Sequence, residues 1–127
     1  MRQLEADVRE AFTRLRQALE GHLEASLART RAKEALEEAV ARGLLSGEIA
    51  GKNAEEREAR ARALYAPLYQ ALQEAEEALL VARAEVEAAR ARAEAASLLV
   101  RLGAAAGAWG GCRPRCPPRS WRGHAGW

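Results

Sequence analysis

Apolar and small residues recur at steps of three and four along two stretches of this chain, the spacing that places them on one face of an α-helix. In the first stretch the stripe reads Leu4, Val8, Phe12, Leu15, Leu19, Leu23, Leu36 and Val40. In the second it reads Leu72, Ala75, Leu79, Ala82, Val86, Ala89, Ala93, Ala96 and Val100. Alanine also returns at every seventh residue, at Ala11, Ala18, Ala25, Ala32 and Ala39, and again at Ala75, Ala82, Ala89 and Ala96. A seven-residue repeat keeps one stripe turned toward a partner helix. A small residue on that stripe lets the two backbones approach closely. The pattern predicts an all-α chain: a long antiparallel two-helix coiled-coil hairpin over residues 1–102, followed by a disordered tail over residues 103–127.

Local signals set the boundaries. The first helix is expected over residues 3–42, with Gly43 as its C-terminal cap because glycine adopts a left-handed conformation at little cost. Pairs such as Glu5–Arg9 and Glu10–Arg14 support its outer face by tenths of a kcal/mol each. The turn covers residues 43–52. Asn53 then caps the second helix, residues 54–102, and Glu56 stands where a capping box places its acid. Pro67 lacks a backbone donor and frees the carbonyl of Ala63, so a kink or break is expected there. Folding about the middle of the loop, at a rise of ~1.5 Å per residue, sets Leu15 near Val81, Val8 near Ala88 and Ala89, and Lys33 near Ala63. On that register Ser26, Arg29, Thr30 and Lys33 face the Pro67 irregularity and supply donors to the freed carbonyl.

Two helices alone bury little surface per residue. Self-association as a dimer, or pairing with another protein, is therefore expected. On the same register Leu98, Leu99, Val100 and Leu102 project past the end of the first helix, and an apolar overhang of that kind marks an interaction surface. Tyr65, Tyr69 and Leu80 widen it.

The formal net charge of +2 hides an asymmetry, because no acidic residue follows Glu94. Arg113, Arg115, Arg119 and Arg122 interleave with Trp109, Trp121 and Trp127. Guanidinium groups neutralise phosphates and indole rings stack on unpaired bases. Single-stranded nucleic-acid contact through Arg113, Arg115, Arg119, Trp121 and Arg122 is one reading of the tail. An anionic membrane surface and a merely solubilising tail are others. The start of the chain opens into a charged helical pattern rather than a secretory signal. No stretch is apolar enough to span a bilayer, and the expected compartment is the cytoplasm. Cys112 and Cys116, with His124 downstream, give three possible ligands in a Pro-rich segment where structural zinc wants four. They read as free thiols or an incidental disulfide, and no metal or other cofactor is expected. His22 falls on the first seam, where a packing role is the simpler reading.

The loop carries the most distinctive residues. Ser46 to Asn53 has the Gly-Lys pair of a phosphate loop, but Ser46 and Asn53 stand where that motif needs Gly and Ser or Thr, and no strand precedes it. It reads as a turn and a helix cap. The run ARGLLSGEIAGKNAEER, Ala41 to Arg57, resembles a G-x-I-x-GKN-x-x-x-R turn that joins two Ala/Glu-rich helices in small uncharacterised proteins of bacteriophages and other mobile elements. Gly47, Ile49, Gly51, Lys52, Asn53 and Arg57 carry the resemblance, and Tyr69 with the repeat after it is similar. The resemblance covers residues 1–102. It implies a non-enzymatic phage or prophage accessory protein, and Ile49, Lys52 and the turn are read as a recognition surface. No nucleophile-and-base arrangement accompanies the Glu and Arg residues, which read as a solvated surface. The expectation is thus a coiled-coil interaction protein, with no small-molecule substrate.

Overall fold

The computed structural model describes residues 2–112, with side chains through Ala104. Three helices account for nearly all of it: α1 at Arg2–Ser46, α2 at Ala54–Leu64 and α3 at Ala66–Cys112. Among the described residues there is no strand. The described part of α3 thus runs ten residues past Leu102, into the segment expected to be a tail.

Helix α1 does not end at Gly43. That glycine is buried inside the helix, and the left-handed position is Gly47, at φ 85°. The chain needs a glycine at both places for different reasons. A Cβ on Gly43 would lie 2.7 Å from Ile49 Cδ1 and would also strike the Tyr65 hydroxyl. Gly47 ends the helix because an L side chain is strained at its φ. The Gly43 carbonyl accepts from the Ile49 amide at 3.1 Å and from the Ser46 hydroxyl at 3.3 Å, so the last turn is satisfied as the chain leaves it.

The expected irregularity at Pro67 is a break, which divides the single second helix into α2 and α3. Tyr65 closes α2, its amide donating to the Ala61 carbonyl at 2.8 Å. Its own carbonyl then accepts from the Leu68 and Tyr69 amides at 2.9 and 3.1 Å, which starts α3. Proline sits comfortably in the first turn of a helix, where its missing donor has no acceptor to lose. It also disfavours helical geometry in the residue before it, so the interruption falls just upstream.

A stripe of buried and half-buried positions on α1 runs Val8, Ala11, Leu15, Ala18, His22, Ala25, Arg29, Ala32, Leu36, Ala39 and Gly43, in alternating steps of three and four, with Leu4, Gly21, Ser26 and Val40 half-buried beside it. The α3 stripe runs from Leu72 through Ala75, Leu79, Ala82, Val86, Ala89, Ala93 and Ala96 to Val100, as read from the sequence. On α1 the expectation needs correction. Phe12, Leu19 and Leu23 are exposed, and the covered stripe runs through the alanines beside them.

The chain divides into two compact units. In one, Arg16–Ala88, Gly43 lies against Tyr65. Folding about the middle of the loop puts Asn53 there instead. The loop explains the offset: it is not helical and can advance by more per residue than a helix, up to ~3.3 Å, whereas α2 returns at ~1.5 Å per residue. Lys33 consequently has no role at the Ala63 carbonyl. Its ammonium lies 4.0 Å from Glu37, and the Thr30 hydroxyl donates to the Ser26 carbonyl at 3.0 Å, both within α1. In the other unit, described over residues 2–15 and 89–112, Ala11 shares a groove with Ala96. The same folding estimate pairs Ala11 with Glu85.

Candidate functional site

The turn assembles its motif residues into one local structure. Asn53 is the N-cap of α2: its side-chain oxygen accepts from the Glu56 amide at 2.8 Å. The Glu56 carboxylate accepts in return from the Lys52 amide at 2.9 Å, one residue earlier than in a standard capping box. The Arg57 guanidinium donates to the Gly51 carbonyl at 3.3 Å. A Cβ on Gly51 would meet Glu56 Cβ at 2.8 Å and the Arg57 amide at 3.0 Å, so only glycine lets the loop pass this close to α2. Ile49 is 4% exposed and packs on Gly43.

Gly47, Ile49, Gly51, Asn53 and Arg57 therefore each perform a structural task, and Ile49 presents no surface to a partner. Lys52 differs. It is exposed, and among the described residues its ammonium has no hydrogen bond or ion pair.

The proposed partner surface separates into two kinds of residue. Tyr65 is half-buried with its hydroxyl at Gly43, so it belongs to the interior of the turn. Tyr69 is also half-buried, with the Arg62 guanidinium 4.9 Å from its ring centre. That guanidinium also pairs with Glu58 at 3.2 Å. Leu80, Leu98, Leu99 and Leu102 are exposed. The reason for exposure at the last three is not an overhang. Ala96 lines the same groove as Ala11, so Leu98 stands alongside α1, on a side of α3 turned away from the seam.

Sequence reading missed the extent of this apolar surface. Phe12, Leu19, Leu23 and Leu27 on α1 are exposed, as are Leu44, Leu45 and Leu64 around the turn. The sevenfold alanines held the signal, because they fix the phase of the covered stripe and leave Phe12, Leu19 and Leu23 outside it.

The described grooves are open and mixed in character. One, in residues 2–15 and 89–112, is lined by Asp7, Glu10, Arg14 and Arg92 over Ala11 and Ala96, with Arg14 paired to Glu10 at 2.8 Å. Another lies at the turn beside Glu48, Arg60, Ala63 and Leu64. No group of His, Cys, Asp and Glu among the described residues has the arrangement of a metal site. No described helix is long and apolar enough to cross a membrane. Arg113, Arg115, Arg119, Trp121 and Arg122 lie outside the described residues, as do Cys116 and His124. No protein-family model matches the chain, and no curated protein or solved structure matches it.

Proposed function

We propose that this is a non-enzymatic coiled-coil interaction protein that self-associates, with α1 and α3 paired in antiparallel orientation and the turn as their joint. One observation carries the reading. Among the described residues twelve large apolar side chains are exposed, whereas three, Leu36, Ile49 and Val86, are buried; the other buried residues are five alanines and Gly43. A chain that spends alanine on its interior and leucine on its exterior holds its apolar surface for another molecule. The matched seam phases of α1 and α3, and the meeting of Gly43 with Tyr65 beside the turn, support the pairing. The resemblance of the Gly47–Arg57 turn to those of phage and mobile-element proteins supports an accessory role of that kind.

Sedimentation equilibrium of the full chain over a wide concentration range tests the reading. The expected result is a weight-average mass that rises above the 13.8 kDa of one chain. A mass fixed at 13.8 kDa throughout overturns self-association. The absence of acidic residues after Glu94 favours a second reading, single-stranded nucleic-acid binding through the Arg/Trp segment. Its mark is oligonucleotide binding that weakens steeply with salt and requires residues 103–127.

A further inference from the structure

Leu98, Leu99 and Leu102 are 53%, 54% and 58% exposed on one stretch of α3. Leu98 and Leu102 continue a face that begins at Ala91 and Ala95, in steps of four, three and four, and all four residues are exposed. This is the spacing of a second helix-pairing seam. It lies on the other side of α3 from Ala89, Ala93, Ala96 and Val100, which are covered. Glu94 and Arg101 stand on one rim of it, seven residues apart and both exposed. Among the described residues neither has an ion-pair partner.

We propose that this face of α3 binds the same face of a second copy in antiparallel orientation, with the two-fold axis at Leu98. This rests on the interaction reading above and names its surface. A two-fold interface sets each residue against the one on the same face or rim at nearly the same distance from the axis on the other side, here to within one or two residues' rise of ~1.5 Å each. Leu98 then meets Leu98 of the second copy. Ala95 meets Leu102 of the second copy, small against large, and does so twice. Glu94 meets Arg101 of the second copy, opposite charges, also twice. Leu99 meets Leu99 of the second copy at the other rim. The face is thus complementary to itself in both size and charge in the antiparallel sense: a parallel pairing sets Ala95 level with Ala95 and Leu102 with Leu102, and places the Glu94 and Arg101 rim beside the opposite rim of the second copy.

The test uses the full chain with Cys112→Ser and Cys116→Ser as the parent. Glu94→Arg alone, or Arg101→Glu alone, places like charges together twice and is expected to weaken the dimer on the order of tenfold or more. The double exchange Glu94→Arg with Arg101→Glu restores the parent affinity, which a folding defect does not do. Leu98→Cys gives a disulfide-linked dimer under mild oxidation, and Leu23→Cys on α1 does not. If the parent associates but the single exchanges leave its affinity unchanged, or Leu23→Cys cross-links in place of Leu98→Cys, this surface is wrong and the interaction reading stands. If the parent does not associate at any concentration, both fall.

Discussion

The turn and the α3 shaft are built on opposite economies of side-chain size. Between Gly43 and Tyr69 the chain buries Ile49, half-buries both tyrosines, and needs glycine at three positions for three reasons: burial at Gly43, a positive φ at Gly47, and close approach at Gly51. Along α3 the fully covered residues are Ala82, Val86, Ala89 and Ala93, while Leu80, Leu98, Leu99 and Leu102 face outward. The turn is specified residue by residue and is closed on itself. The shaft is specified by a repeat and is open on one side. Stability is therefore expected to concentrate where residues are individually fixed, and the proposed binding surface lies where they are not.

Substitutions at the turn should show the largest stability effects. Ile49→Ala empties a buried site and is expected to lower unfolding free energy by ~2–4 kcal/mol in chemical denaturation. Gly43→Ala inserts a methyl group against Ile49 and Tyr65 and is expected to cost ~1–3 kcal/mol by the same measurement. Asn53→Ala removes the cap that accepts from Glu56 and should cost ~1 kcal/mol. Lys52→Ala leaves every described contact of the turn in place, since the residue contributes its amide, and should change stability by less than ~0.5 kcal/mol. Equal losses at Ile49 and at an exposed shaft residue such as Leu80 would erase the contrast between the two regions.

How much of this was legible in the sequence depends on how local each determinant is. The α3 stripe from Leu72 to Val100 could be read directly, because its steps of three and four are unbroken. The Asn53 cap was equally legible, since its partner Glu56 is three residues away. On α1 the same rule misplaced Phe12, Leu19 and Leu23, because large apolar residues compete for the stripe with the alanines beside them, and close helix packing favours the smaller set. Gly43 and Gly47 are both plausible caps by sequence. What decides between them is Tyr65, more than twenty residues away and brought back by the loop and α2. The exposure of Leu98 and Leu102 comes from their side of α3 and not from an overhang: a register counted at equal rise per residue fails because the loop and α2 do not rise equally. Ala91 and Ala95 carry no signal as lone outward alanines on a helix and gain one only in step with the leucines.

Amide hydrogen exchange of the full chain, followed as a function of protein concentration, tests the division between the two regions most directly. The account expects protection in residues 43–69 to be high and independent of concentration, and protection in residues 89–104 to rise as the protein is concentrated. Protection that rises at the turn instead, or that is the same at every concentration along α3, would contradict it.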